Sequence, residues 1–151
     1  MKSINERLEE LIKDKNFNAD QMQEIEWSLE DGLSVEQIKI YADEKFDFEQ
    51  MKEIRYGLLN GLSEEQVKMY ADEKFDDNQM WQIRVGLEDG LLEEQIELYA
   101  NKKFNWKQMY EIRLGLENGL TEEQVKLYTN ENFYWKKMEK IRKGLEDEKN
   151  K

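Results

Sequence analysis

The paired glutamates Glu64-Glu65, Glu93-Glu94 and Glu122-Glu123, and an arginine that recurs as Arg55, Arg84, Arg113 and Arg142, are the residues of this 151-residue chain best equipped for chemistry. Adjacent carboxylates could serve as metal ligands or as an acid and base pair. Consecutive residues of a helix point about 100° apart, however, so such neighbours diverge, and glutamates in a first turn are favoured by the helix dipole alone. The chain has no His and no Cys, which removes the usual zinc ligands and the commonest general base. Ser34 and Ser63 read as helix caps rather than nucleophiles. No catalytic residue, no metal site and no cofactor is expected, and the chain reads as a non-enzyme. The arginines lie at the edge of an apolar stripe. There they either rest their stems on apolar surface and pair with an acid of a neighbouring helix, with Asp43 and Asp72 as candidates, or form a row of forks gripping carboxylates or phosphates of a partner. Glu26 takes this place in the first copy.

The elements that must position these groups are announced by a 29-residue period: Phe17, Phe46, Phe75, Phe104 and Phe133 recur in register with Met22, Met51, Met80, Met109 and Met138. A fixed period of this size marks a solenoid, whose units bury their apolar faces against one another. In the copy from Phe46 to Lys74, Asp47 and Gln50 form a capping box with Phe46 stapled onto Met51. Met51, Ile54 and Leu58 make an apolar stripe, and Asn60-Gly61 ends a helix (A) of about three turns. Leu62, Ser63 and Gln66 restart the same grammar for a second helix (B). Its apolar Val67, Met69, Tyr70 and Ala71 cover a wider arc, predicting that B is the more buried of the two. The register predicts an all-α fold of ten helices, an α-solenoid forming one domain over 1–151. A half repeat (1–16, with a B-type helix near Asn5 to Lys15) precedes full repeats 17–45, 46–74, 75–103 and 104–132. A final half repeat and tail (133–151) carries an A-type helix from about Tyr134 to Leu145. Gly57, Gly86, Gly115 and Gly144 sit inside helix A, where glycine costs roughly 0.5–1 kcal/mol relative to Ala, so close approach of a neighbour is expected to offset it. Ser28 holds that place in the first copy. The recurring Met and Tyr positions, among them Tyr41, Tyr70, Tyr99 and Tyr128, read as core.

Acid collects about the A-to-B turns: Glu64 and Glu65, then Glu88, Asp89, Glu93 and Glu94, then Glu122 and Glu123, with Glu30, Asp31, Glu36 and Glu117 nearby. In a solenoid these turns share an edge. Regular clusters of negative charge there either keep a repetitive rod soluble or imitate a nucleic-acid strand and dock into a basic groove. Trp81, Trp106, Tyr110 and Trp135 occupy places that vary between copies and are candidate anchors for a partner. Trp106 and Trp135 have the alternative of wrapping over the preceding turn. The net charge of -12 disfavours direct nucleic-acid binding and anionic membranes and favours a protein partner with a basic surface. Charge is uneven, -9 for residues 1–75 and -3 for residues 76–151. The lysines of the last helix read as a polar cap, or as one half of a head-to-tail contact. A monomer in the cytoplasm is expected, as neither a signal peptide nor a membrane-spanning run is visible.

The series Tyr70-Ala71-Asp72, Phe75, Gln79-Met80, Ile83-Arg84, Gly86-Leu87 and Gly90-Leu91 resembles a short acidic helical repeat, YADxxFDxxQMxxIRxGLxxGL, of uncharacterised proteins from phages and mobile elements of Gram-positive gut bacteria. The resemblance spans nearly the whole chain. It implies an inhibitor of a host defence nuclease, of anti-restriction or anti-CRISPR type, some of which imitate DNA. The chain departs from the pattern at Glu44, Glu73 and Lys102, where a proline is expected, and at Glu26.

Overall fold

The computed structural model describes residues 1–151 and is all-helical. Its ten helices are α1 (Ile4–Ile12), α2 (Ala19–Glu30), α3 (Val35–Lys39), α4 (Phe48–Leu59), α5 (Glu64–Lys68), α6 (Asp77–Glu88), α7 (Glu93–Glu97), α8 (Trp106–Glu117), α9 (Glu122–Lys126) and α10 (Trp135–Lys149). The chain divides into two compact units, Met1–Met80 and Trp81–Lys151. No helix is long and apolar enough to cross a membrane.

Local grammar sets the limits of the long helices. Asp47 accepts the Gln50 amide at 2.8 Å while the Gln50 side chain accepts the Asp47 amide at 2.9 Å, closing the reciprocal box that satisfies two orphan donors. Asn18 with Gln21 and Asn105 with Gln108 repeat it. At the other end Gly61, at φ +94°, lets Leu62 N–H reach the Gly57 carbonyl at 3.0 Å and its own N–H reach Leu58 at 3.1 Å, a left-handed termination that glycine adopts without steric cost. Glu148 stands where α10 would need this glycine, and α10 runs on to Lys149.

The short helices correct the sequence reading. Each B helix from α3 to α9 spans five residues, and Tyr70 and Ala71 lie beyond α5 in a turn, where Asp72 accepts the Lys74 amide at 3.0 Å. The long helices are the more buried: α4 buries Gln50, Met51, Glu53, Ile54, Arg55, Gly57 and Leu58, whereas α5 buries Val67 alone. The wide apolar arc is real, but half of it belongs to the turn that carries the tyrosine. At the N-terminus, α1 begins earlier than the repeat register predicts because Ser3 caps it, accepting the Glu6 amide at 3.1 Å.

In the first unit the Tyr70 hydroxyl donates to the Glu53 carbonyl at 2.8 Å, and a Cβ on Gly57 would collide with that same oxygen. In the second unit Tyr99 reaches the Gln82 carbonyl and Tyr128 the Glu111 carbonyl, each at 2.9 Å, over Gly86 and Gly115. The helical glycine is thus the opening through which a buried phenol satisfies its donor. Where Ser28 replaces it, Tyr41 donates to the serine hydroxyl, which donates to the Glu24 carbonyl at 2.7 Å; the serine relays the bond. Gly144 departs from the expectation of close packing, since nothing lies within 4 Å of its would-be Cβ.

Candidate interaction surfaces

The acids separate into two populations. The first is engaged. In the first unit Arg55 donates to Glu24 at 2.8 Å and Asp31 at 2.9 Å. Burial disfavours its charge, and the hydrogen bond and field of Glu24 more than offset that, raising its pKa. In the second unit Arg113 forks onto Glu117 at 2.9 Å and donates to Gln82 at 2.9 Å, while Arg142 forks onto Glu146 at 2.9 and 3.0 Å and donates to Glu111 at 2.8 Å. Arg84 grips Glu88 at 2.6 Å. Asp43 and Asp72 are therefore not the partners of the arginines; their carboxylates hold the turns after the B helices. Glu88 is committed to Arg84, and Asp89 lies 3.9 Å from Arg113. Burial raises the pKa of Glu111 and of Glu117 despite their arginines.

The second population is free. Glu64 and Glu65 open α5, Glu93 and Glu94 open α7, and Glu122 and Glu123 open α9. All but the half-buried Glu122 are exposed. Among them only Glu123 approaches a cation, Lys126 at 3.8 Å, on a side chain that is itself 88% exposed. Ser63 and Thr121 cap α5 and α9, each accepting the N3 amide at 3.1 Å. Leu92 stands at the cap of α7, so only the return bond from its amide to Gln95 forms, at 2.8 Å. No group of three or more acids is arranged to hold a metal ion.

The aromatic candidates also divide. Trp81, Trp106 and Tyr110 are about two-fifths exposed, and Trp135 is half-buried with its indole N–H enclosed and without an acceptor. Trp81 and Tyr110 are brought together around Arg113, whose guanidinium carbon lies 5.6 and 5.4 Å from their rings. Trp106, Tyr110 and Trp135 line a groove of about 310 Å³ with Lys107, Glu111 and Glu139. Lys107 places its ammonium 5.7 Å from the Trp106 ring and 5.4 Å from the Trp135 ring.

One set of positions escaped the sequence reading. The capping glutamines of the long helices accept the cap bond through Oε1 and donate through Nε2 to the chain that opens the next repeat: Gln21 to Phe46 at 2.6 Å, Gln50 to Phe75 at 2.7 Å, and Gln108 to Phe133 at 2.8 Å and to Glu131, just before it, at 2.9 Å. The sequence does not separate this use from plain capping, because the B helices repeat glutamine at the same place (Gln37, Gln66, Gln95 and Gln124) and Gln124 makes only its cap.

Comparison of the chain with protein-family models, with curated proteins and with solved structures finds no match.

Proposed function

We propose that this protein is a non-enzymatic binding module, an α-solenoid whose B-helix N-termini present glutamates to a basic, nucleic-acid-binding groove on a protein partner. The observation that carries the reading is the division among its acids. Asp31, Glu88, Glu117 and Glu146, at the ends of the long helices, are absorbed by arginines, while Glu64, Glu65, Glu93, Glu94 and Glu122 carry no ion pair. Each of these five glutamates sits in the first turn of its helix. A fold that needed acid only to balance its own cations would not repeat an unbalanced pair in copy after copy. Such charge steers association and gives it a steep salt dependence more than it adds affinity. The resemblance to phage and mobile-element repeats makes a host defence nuclease of restriction or CRISPR type the partner class to test first, with the cytoplasm of the host as the place of encounter.

The test is capture from host lysate with and without nucleic acid present, followed by titration of the captured protein at several salt concentrations. Displacement of nucleic acid from a nuclease, with affinity that falls as salt rises, is the expected result. Reversal of Glu93, Glu94, Glu122 and Glu123 to lysine should abolish binding at low ionic strength. Unchanged affinity in that variant would sink the reading.

A further inference from the structure

The groove lined by Trp106, Tyr110 and Trp135 lies wholly in the second unit, and its volume of about 310 Å³ is at the lower end for small-ligand pockets, enough for one side chain. It is already a cation site. Lys107 forms no ion pair, and its ammonium stands within about 6 Å of two indole faces, the range in which a cation is attracted by the ring quadrupole. A comparable pair at a different place in the repeat holds a different cation: Trp81 and Tyr110, equivalent places on α6 and α8, flank Arg113. In the first unit Trp27 and Tyr56 hold Arg55 at 5.8 and 5.0 Å. Trp106 and Trp135 are likewise equivalent places, on α8 and α10, but no arginine of the chain stands between them. An exposed lysine, anchored at one edge of the groove, occupies the position instead.

We infer that this groove receives an arginine side chain of the protein partner, which takes over the place of the Lys107 ammonium between Trp106 and Trp135. A guanidinium suits the site better than the resident lysine because its plane stacks on aromatic faces and its fork can meet a carboxylate. Glu139, at the rim, offers one, with only Lys143 at 3.7 Å as a competitor. Of the two carboxylates in the lining, Glu111 is held by Arg142 at 2.8 Å, which leaves Glu139 as the one to meet a guest cation, while Lys107, and Lys136 at 5.6 Å from the Trp135 ring, are the resident cations the guest displaces. The inference rests on the reading of the protein as a partner-binding module and names the chemistry of one contact; the free glutamates on α5, α7 and α9 take no part in it.

The experiment uses the full chain and three probes: N-acetyl-arginine amide, its neutral isostere N-acetyl-citrulline amide, and AMP. Binding is followed through the indole N–H resonances of Trp106 and Trp135, with Trp81, already stacked on Arg113, as internal control. The arginine probe should shift both groove resonances with a dissociation constant in about the millimolar range, and the citrulline probe should bind roughly five- to thirty-fold more weakly. Lys107→Met, which removes one of the resident cations, should tighten arginine binding several-fold, and Glu139→Gln should weaken it. Equal binding of arginine and citrulline, stronger binding of AMP, weaker arginine binding in K107M, or no shift in any groove resonance would each overturn the inference. Because charge reversal of the α7 and α9 glutamates leaves the groove intact, arginine binding that survives in that variant separates failure of the acidic docking surface from failure of this site.

Discussion

Helices α8 and α9 follow each other in one repeat and begin on the same capping motif, yet they serve opposite ends. Gln108, at the start of α8, is buried and spends its side chain three ways: on its own cap and on the carbonyls of Glu131 and Phe133. Gln124, at the start of α9, closes its box with Thr121 and does nothing more. The first helix locks one repeat to the next; the second ends after five residues and presents Glu122 and Glu123. Scaffold and display are thus split between neighbouring helices, and the split appears as the number of partners that one capping glutamine holds.

Substituting both glutamines by glutamate tests the split most severely. Glutamate preserves each cap, but in α8 it sets a buried carboxylate against two carbonyl oxygens with no donor to offer, so Gln108→Glu should cost about 3 kcal/mol. Gln124→Glu should stay within about 0.5 kcal/mol. Urea denaturation of the two variants checks the pair; equal losses would erase the distinction.

A smaller effect comes from the helical glycines. A Cβ on Gly115 meets the Tyr128 hydroxyl, whereas one on Gly144 meets nothing. Gly115→Ala should cost about 2 kcal/mol by overpacking, while Gly144→Ala should gain roughly 0.5–1 kcal/mol from helix propensity. Gly115→Ser should recover much of the loss, because Ser28 already shows the relay through which a tyrosine is satisfied without the glycine. Thermal melts of the three variants would show opposite signs at 115 and 144.

The same contrast explains what the sequence could disclose. The internal A helix α4 was legible because its limits are set by neighbours in the chain, the Asp47 and Gln50 box and the Asn60-Gly61 exit, whereas α10, which lacks that exit, runs four residues past the expected Leu145. The length of helix B was not legible, because Val67, Tyr70 and Ala71 satisfy a helical arc equally well when the last two sit in a turn. The arginine partners were hidden for another reason. Arg55 and Glu24 are 31 residues apart, on successive long helices, and the nearer candidate, Asp72, is consumed by its own turn. The free glutamates could be named in advance, but their separation from the committed Glu88 depended on knowing where each arginine points. The aromatic groove combines residues from two repeats, and neither repeat alone hints at the cavity.

Capping within the display helices gives the next step down. Leu92 leaves the first turn of α7 without the side-chain acceptor that Ser63 and Thr121 supply to α5 and α9. Leu92→Ser should therefore stabilise the chain by about 1 kcal/mol, and it should slow amide exchange at Glu94 and Gln95. It leaves Glu93 and Glu94 unaltered, so partner affinity should change little. A large change in affinity would mean that the exposed leucine, not the glutamates, makes the contact.

The smallest expected effect is on pH dependence, and it bears on how α8 holds α10. Glu111 is buried and accepts from Arg142, with Glu139 and Lys143 also acting on it; burial is the largest influence and leaves its pKa above the ordinary carboxylate value of 4.5. A carboxyl group whose pKa is higher folded than unfolded binds more protons in the native state, so between the two values its contribution to stability falls as pH rises. Glu111→Gln removes that contribution without removing the acceptor, since Gln82, at the equivalent place in the preceding repeat, receives Arg113 at 2.9 Å. The melting temperature of the parent protein should therefore decline relative to that of E111Q as pH is raised from about 4.5 towards neutrality. A relative rise over that interval would show that Arg142 outweighs burial at Glu111, and that the arginine contacts holding α10 to α8 are stronger as ion pairs than as hydrogen bonds.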